Sequence, residues 1–419
     1  VTPAPIEQAL AVERASADVL ANAGFRAGFR RLSRDLASYA AERGGISHVI
    51  ALPFFAIGGA QLTAANFARV IADSGRGCVL IAADRTIAAE PPAGIEGALM
   101  LDFSDYFPDA DGVARVELLF AALRFIRPQV FHAINSEVAW RLLIGSGDRV
   151  RAFARVFGAI FAFQFDWKTR QKVGYAATFL RPAFPHIDGL ITDNQRFADD
   201  AIKEYDLKRE RVKFHVVYNA SDAVSEETRR QAEASLGDLP ERIGRAGRLQ
   251  VLWAGRLDAE KRPELLLATA HACPDMDFHV YGARVVDNEL AVQFQGLGNV
   301  YMQGPYTLAQ EVLSRREHHV MMFTSRWEGL ANVLIEFGAL GLPIVAATVG
   351  GVGELITDST GYAVGERPVA DDYVVALRAV KASPATAARK AAKLLALVNE
   401  RHSSASFAAS VAQIPGYLG

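Results

Sequence analysis

Residues 318–341, HHVMMFTSRWEGLANVLIEFGALG, have the pattern of one strand-loop-helix unit. HHVMMFT is a short apolar run typical of a buried strand, and SRWEG follows it as a polar loop. LANVLIEFGAL carries helical spacing, and Gly341 is a typical helix terminator before Pro343. A strand, a turn and a helix in this order form the repeating unit of a doubly wound α/β sheet.

The same unit recurs along the chain in two series. Apolar strand runs alternate with helices from about residue 46 and again from residue 249, while residues 220–248 are polar and favour a linker or a surface excursion between the domains. We therefore predict an α/β protein with two facing Rossmann-like domains, whose ligands bind in the cleft between them. The predicted segments are a helical extension at 1–45, a first domain at 46–220, a second domain at 221–395, and a carboxyl-terminal helix at 396–419 that packs back toward the first domain.

Composition excludes several classes of protein. The formal net charge of −2 over 419 residues gives no general attraction to nucleic acid. Cys78 and Cys273 are far apart and form no CxxC motif, which predicts buried thiols of a cytoplasmic protein without a structural metal. No apolar stretch reaches the ~18 residues of a membrane span.

Two carboxylates flank the start of the predicted helix. Glu328 lies at the strand-to-helix turn, and Glu336 lies about two turns, or ~10 Å, further along. Backbone N–H groups that can bind phosphate, flanked by carboxylates that accept hydrogen bonds from hydroxyls, suit a sugar nucleotide. An acid favoured at a helix start and an ordinary surface glutamate would give the same sequence pattern. Three backbone N–H groups after Glu328 are expected to be unpaired and able to hold a phosphate: those of Gly329, Leu330 and Ala331.

A second turn in the same domain carries two cations. AGRLDAEK at 254–261 places Arg256 and Lys261 five residues apart between a strand and a helix. A forked guanidinium and an ammonium from one loop suit a diphosphate. Each alone would be interpreted as a solvated surface charge, but the glutamate turn in the same domain favours a diphosphate site.

These two motifs resemble those of family 4 of the retaining glycosyltransferases, which have the GT-B fold. Glu328 and Glu336 match the E-x7-E spacing of that family, and Arg256 and Lys261 match its GR-x4-K spacing. The resemblance implies that Arg256 and Lys261 bind the donor diphosphate and stabilise the departing nucleotide. It further implies that Glu328 and the amides after it bind the donor sugar or phosphate, and that Glu336 binds the ribose hydroxyls.

The resemblance also implies that the first domain, 46–220, binds the acceptor and that the second, 221–395, binds the donor. The first domain supplies further residues. GGAQ at 58–61 is similar to the family's glycine loop after the first strand, where Gly58 and Gly59 would let the backbone approach the donor phosphates. The resemblance implies no cofactor and no metal ion, because the cations and the helix start are expected to neutralise the phosphates. Three residues are expected as acceptor or sugar contacts: His132, Asn135 and Asp166. A strand histidine is more often a core residue, so both interpretations of His132 stay open.

Residues 140–181 are basic, with eight Lys or Arg against two Asp, a net of +6. Aromatic residues are interleaved with these charges, a pattern that favours contact with anionic lipid or a phosphorylated acceptor. A solvated face explains the pattern equally well.

The sequence thus predicts a metal-independent retaining hexosyltransferase that passes a sugar from a nucleotide-diphosphate donor to a hydroxyl of a glycan or lipid-linked acceptor in surface polysaccharide biosynthesis. We expect it in the cytoplasm, at the inner face of the membrane as a peripheral protein. The alternatives are a sugar-nucleotide epimerase or phosphorylase and a non-catalytic nucleotide-sugar or glycan-binding module of a larger protein, which the start at Val1 favours. A glycoside hydrolase is disfavoured, because Glu336 inside a helix is poorly placed to flank one bond with Glu328.

Overall fold

The structure is a computed structural model and describes residues 19–55, 58–85, 95–166, 168–282, 294, 296–315 and 317–419. It contains two separate parallel sheets, one of seven strands and one of six. The predicted fold class, an α/β protein with two Rossmann-like halves, is confirmed. Both cysteines are buried free thiols.

The first sheet holds the amino-terminal half of the chain. Its strands are β1 (His48–Leu52), β2 (Cys78–Ala82), β3 (Ala98–Asp102), β4 (Val130–Ile134), β5 (Arg155–Ala159), β8 (Gly189–Thr192) and β9 (Phe214–Val216). The two-residue strands β6 (Gln164–Phe165) and β7 (Lys172–Val173) lie outside this sheet and form an antiparallel hairpin. The strand order is β3-β2-β1-β4-β5-β8-β9. Every residue of β1 is buried, as expected for a central parallel strand with a continuous apolar run.

The helices of this half are α1 (Ala23–Arg43), α2 (Gly59–Asp73), α3 (Phe103–Tyr106), α4 (Gly112–Ile126), α5 (Glu137–Arg151), α6 (Arg181–Ala183) and α7 (Gln195–Glu204). Side-chain oxygens cap several of them; Asn22, Asp111 and Asn194 each accept a hydrogen bond from a first-turn N–H. The predicted extension at 1–45 is described only from residue 19, and α1 forms most of that part.

The second sheet has the order β12-β11-β10-β13-β14-β15. Its strands are β10 (Leu249–Ala254), β11 (Met276–Tyr281), β12 (Val300–Gly304), β13 (Val320–Phe323), β14 (Ile344–Ala346) and β15 (Tyr362–Ala363). The helices of this half are α8 (Glu226–Ala246), α9 (Pro263–Ala272), α10 (Ala309–Arg315), α11 (Asn332–Ala339), α12 (Ala370–Ala382) and α13 (Pro384–Arg401), followed by α14 (Ser404–Ala412).

Residues 220–248, expected to be a polar linker or surface excursion, mostly form the 21-residue helix α8. The expectation was wrong because polar residues on the exposed face mask an apolar stripe with helical spacing. That stripe consists of Ala232, Leu236, Leu239 and Ile243, all buried in the core of the second half. The apolar run at 156–165 joins the sheet only in part, since β5 ends at Ala159 and the chain then leaves the sheet.

After α13 the chain returns to the first half. Phe407 and Val411 of α14, followed by Ile414 and Tyr417, share a hydrophobic cluster with Phe67 of α2. The chain therefore crosses between the two halves twice, near Asn219 and again near His402. The two crossings touch each other: the Ser221 N–H donates to the His402 carbonyl at 3.1 Å, and a ring nitrogen of His402 lies 2.7 Å from the Asn219 carbonyl oxygen.

Candidate active site

The turn after β10 holds two cations and is fixed by one carboxylate. Asp258 Oδ1 accepts hydrogen bonds from the N–H groups of Glu260 (3.1 Å) and Lys261 (3.2 Å). Its other oxygen, Oδ2, lies 3.0 Å from Arg256 Nε. Pro263 then begins α9 without needing a backbone donor. The turn is therefore held by its own side chain before any ligand arrives.

Lys261 lies between two carboxylates from different loops. Its Nζ is 2.9 Å from Glu260 Oε1 and is also hydrogen-bonded to Glu328 Oε1. Both ends of the second pair are largely shielded, with side-chain exposures of 18% for Lys261 and 14% for Glu328. Burial acts to lower the pKa of Lys261, but the charges of Glu328 and Glu260 outweigh it and raise the pKa above its usual value. Lys261 therefore stays protonated at neutral pH.

Arg256 is more exposed than Lys261, with 56% of its side chain accessible. Besides Asp258 it contacts Glu260, with Nη2 3.1 Å from Oε2. Glu260 thus uses one oxygen for each cation. The sequence motif contains Glu260, but spacing alone did not single it out.

The loop with Glu328 differs from the prediction at its helical end. Helix α11 begins at Asn332, because Ala331 is extended (ψ 110°) and acts as the N-cap residue. Glu328 therefore stands four residues before the helix. The Leu330 N–H, expected to be open to a phosphate, donates to Asp193 Oδ2 at 3.1 Å. The prediction of three unpaired donors was wrong for Leu330.

Asp193, which sequence reasoning missed, brings the two halves together at this point. It follows β8 in the first half, and its carboxylate also receives the side-chain N–H groups of Asn194 (2.6 Å) and Asn219 (3.5 Å). It is 4% exposed, and burial raises its pKa to about 7 despite these hydrogen bonds. Its position at the carboxyl end of a parallel strand is the only sequence signal that could have indicated it.

Two glycines allow this close approach. A Cβ on Gly329 would lie 2.9 Å from Asp193 Oδ1 and 2.9 Å from the Cβ of Phe161. Gly350, with φ +53°, is so close to the Glu328 carbonyl oxygen that a Cβ there would lie 1.9 Å from it. Only glycine at 350 lets the segment after β14 pack against the Glu328 backbone.

A pocket of about 130 Å³ lies where the two halves meet. Glu260, Trp327, Glu328 and Gly329 come from the second half; Asn135, Ile160, Phe161, Ala162, Gln164 and Tyr175 come from the first. The structure thus brings Asn135, a predicted contact, to the same pocket as Glu328. Lys, Arg and His do not occur among these lining residues.

Asn135 adopts a backbone conformation that is unusual outside glycine, with φ +48°. It directly follows β4 and precedes Ser136, the N-cap residue of α5. Asp84 holds this turn by accepting hydrogen bonds from the Ser136 hydroxyl (2.6 Å) and the Glu137 N–H (2.7 Å). The strained conformation is therefore imposed by the surrounding turn, and it places Asn135 at the pocket.

The remaining residues predicted to bind the donor are Gly58, Gly59 and Glu336, of which Gly59 and Glu336 lie near the start of α11. Gly59 begins α2, and a Cβ on it would be 3.5 Å from the Asn332 side chain at the start of α11. Gly58 is the residue before α2 and has extended backbone. Glu336 lies one helical turn beyond Asn332, and burial, reinforced by the charge of Asp222, raises its pKa to about 7.

The structure does not bring His132 and Asp166 to the pocket. His132 is fully buried, with Nδ1 2.8 Å from the Tyr417 hydroxyl, and burial lowers its pKa to about 3. It is a core histidine, so the expectation of an acceptor contact does not fit its position. Asp166 caps the β6–β7 turn instead, accepting hydrogen bonds from the N–H groups of Lys168 (3.0 Å) and Thr169 (2.6 Å).

The basic segment at 140–181 is partly neutralised by nearby acids. Arg141 pairs with Glu137 at 2.7 Å, Arg151 with Asp188 at 2.9 Å, and Lys172 with Glu204 at 2.6 Å.

The described residues contain no cluster of three or more His, Cys, Asp or Glu side chains that could hold a metal ion. None of the described helices combines the length and apolar character needed to cross a bilayer.

The second half matches a known family. Residues 248–382 match the model of the family described as glycosyl transferases group 1. This segment contains the two cations and both glutamates of the site.

Two sequence relatives also match part of this chain. The D-inositol 3-phosphate glycosyltransferase of Arthrobacter sp. (strain FB24) is 31% identical over 153 residues, covering 34% of this chain and 36% of that protein. The alpha-D-kanosaminyltransferase of Streptomyces kanamyceticus is 31% identical over 204 residues, covering 46% of this chain and 48% of that protein. The chain thus spans about a third to a half of the length of these relatives.

The fold extends further than the sequence similarity. HepE of Anabaena, solved in complex with UDP and glucose, superposes with a TM-score of 0.66 over 88% of this chain and 98% of that one, at 16% identity. This likeness establishes the GT-B fold of two Rossmann-like domains. Together, the comparisons show a GT-B fold whose second half is similar to glycosyl transferases group 1.

Proposed function

We propose that this chain is a metal-independent retaining glycosyltransferase of family 4, transferring a hexose from a nucleoside-diphosphate sugar to a hydroxyl of a glycan or lipid-linked acceptor. The observation that carries the proposal is the Lys261–Glu328 ion pair at a pocket lined by both halves. These residues are 67 positions apart, and the fold brings a cation suited to a diphosphate beside a carboxylate suited to sugar hydroxyls.

The chemistry follows from this arrangement. When the bond between the sugar and the diphosphate breaks, negative charge develops on the departing nucleotide, and Lys261 and Arg256 stabilise it. Glu328 accepts hydrogen bonds from the sugar hydroxyls and sets the orientation of the sugar, and Glu336 accepts them from the ribose. Asn135, on the opposite wall, contacts the sugar or the acceptor. The HepE complexes with UDP and with UDP-glucose support a uridine nucleotide as the first donor to test.

The composition of the pocket supports an uncharged sugar unit at the reacting end of the acceptor. Its walls offer aromatic rings at Trp327 and Tyr175 and amides at Asn135 and Gln164. Such groups stack on sugar rings and exchange hydrogen bonds with hydroxyls. The basic segment at 140–181 would then bind a phosphate or an anionic membrane beyond the reacting unit, as expected for surface polysaccharide biosynthesis at the inner membrane face.

The first experiment incubates the protein with labelled UDP-, GDP- and ADP-sugars and a panel of neutral and phosphorylated acceptors, with and without EDTA. We expect acceptor-dependent release of one nucleoside diphosphate, unchanged by EDTA, and a product whose anomeric configuration by NMR is that of the donor. An inverted anomer contradicts the retaining mechanism, and loss of turnover with EDTA contradicts metal independence.

The same assay separates the alternatives. Interconversion of nucleotide sugars without an acceptor would indicate an epimerase, and sugar phosphate formed from a glycan and inorganic phosphate would indicate a phosphorylase. Binding without turnover would indicate a non-catalytic module.

The membrane contact has its own test. Co-sedimentation with anionic liposomes should be lost when Lys168, Arg170 and Arg181 are replaced by Gln, and unchanged sedimentation contradicts the membrane contact.

A further inference from the structure

The cations of the site are already neutralised by the protein itself. Two positive groups, Arg256 and Lys261, face three carboxylates, those of Asp258, Glu260 and Glu328. The local sum is therefore −1. A diphosphate entering this site therefore meets two cations that are already paired, and it binds most tightly when a carboxylate gives up its contact with them.

The contacts identify which carboxylate can do so. Asp258 is bound to two backbone N–H groups of its own turn, so its release would undo the turn. Glu328 belongs to the other loop and contacts Lys261 alone of the two cations. The side chain of Glu260 contacts both cations, with Oε2 3.1 Å from Arg256 Nη2 and Oε1 2.9 Å from Lys261 Nζ, so its movement would free both from this carboxylate.

The backbone of Glu260 is held separately from its side chain. Its carbonyl oxygen accepts a hydrogen bond from the Arg326 N–H at 2.8 Å, and its own N–H donates to Asp258. The side chain is 24% exposed and lines the pocket. It can therefore rotate toward the pocket while the turn keeps its shape.

We propose that Glu260 is an exchangeable counter-ion: it orients Arg256 and Lys261 in the empty site and competes with the donor diphosphate for them. This inference rests on the proposed function, since it takes the two cations as the diphosphate site. Glu260 acts through the cations and is a positioning residue. Its competition weakens donor and product binding alike, which helps the product nucleotide to leave.

The test is Glu260→Gln, which keeps the shape of the side chain and removes its charge. Binding of UDP, GDP and ADP, and of uridine, guanosine and adenosine, is measured by calorimetry for wild type and variant. We expect the variant to bind the preferred nucleoside diphosphate about 10-fold more tightly, as expected for removing one nearby charge, with the affinity for the matching nucleoside unchanged. Product inhibition by the diphosphate should strengthen by a similar factor.

Two further variants make the result decisive. Glu264→Gln removes an exposed carboxylate that pairs with Arg262 and Arg326, and it should leave diphosphate affinity unchanged. Glu260→Ala should shift the affinity in the same direction as Glu260→Gln. Diphosphate binding that is equal or weaker in Glu260→Gln overturns the inference, as does an equal gain for the nucleoside.

The outcomes also distinguish this inference from the proposed function. If one diphosphate binds the wild type and replacement of Lys261 abolishes that binding, the donor site stands, and only the behaviour of Glu260→Gln decides the inference. If none of the three diphosphates binds the wild type, both fall together.

Discussion

Replacing Lys261 by Met tests the centre of the proposed site. Met keeps most of the length of the side chain and removes the charge, leaving Glu328 without its cation and Glu260 with Arg256 alone. At an effective dielectric constant of about 20, unit charges 2.9 Å apart attract by about 6 kcal/mol. Much of this attraction is cancelled by the cost of removing Lys261 from water, so we expect a net loss of about 2–3 kcal/mol of folding free energy.

The catalytic loss should be larger than this loss of stability alone would cause. Removing one group that stabilises charge in the transition state lowers kcat by about 10²–10³-fold. Because Lys261 is more buried than Arg256, its loss should reduce kcat more than Arg256→Ala does, which we also expect to cost at least about 10²-fold. Glu328→Ala should impair sugar transfer more than nucleotide binding.

The assay measures initial rates of nucleoside-diphosphate release and the thermal unfolding midpoint of each variant. Lys381→Met is the matched control: it removes a lysine paired at 2.9 Å with Asp275 on the surface, and it should change neither quantity appreciably. A Lys261→Met protein that is folded at the assay temperature and keeps kcat within tenfold of wild type would refute the reasoning.

Three further predictions concern the pocket and its supports. Asn135→Ala should lower kcat/KM for the transfer reaction without changing UDP affinity. Asn135→Gly should lower kcat/KM equally but be the more stable variant, because glycine tolerates φ +48°. An equal loss of UDP affinity in both variants would contradict this prediction. Gly350→Ala should destabilise the protein by about 1–3 kcal/mol and lower activity, because its Cβ would meet the Glu328 carbonyl oxygen at 1.9 Å; circular-dichroism melts with wild-type stability would exclude the close packing. Folded Glu336, whose pKa is raised to about 7, binds its proton more tightly than the unfolded chain does, so the free energy of unfolding should fall as pH rises from about 4 to about 7. Glu336→Gln should reduce this slope in denaturant titrations at pH 5 and pH 8, and Asp193, raised in the same way, should account for part of the remainder.

The sequence predicted those parts of the site that local pattern determines. The turn after β10 and the loop after β13 both follow strand runs of a parallel sheet, and the carboxyl ends of such strands meet at one edge, where Lys261 and Glu328 lie. Their roles in binding a donor stay predictions. The alternation of strands and helices likewise predicted the two sheets, because buried parallel strands leave continuous apolar runs.

The remainder depends on contacts between distant segments. Asp193 meets the Leu330 N–H across 137 positions of sequence, and no local spacing encodes that hydrogen bond. The same contact explains why α11 starts later than its sequence pattern indicates, since the Leu330 N–H is bound to a carboxylate instead of opening a helix. His132 was ambiguous for a similar reason: the tyrosine that holds its ring comes from the carboxyl terminus.

The two chain crossings near Asn219 and His402 constrain how the halves can move. A single crossing would let one half swing and twist freely about a flexible joint. Here two neighbouring segments are hydrogen-bonded side by side through Ser221, His402 and Asn219 and together form the hinge between the halves. Opening about the line of these bonds bends both segments together, whereas twisting across that line would pull them apart. The cleft should therefore open and shut along one arc, returning Asn135 and Glu328 to the same facing positions in each cycle.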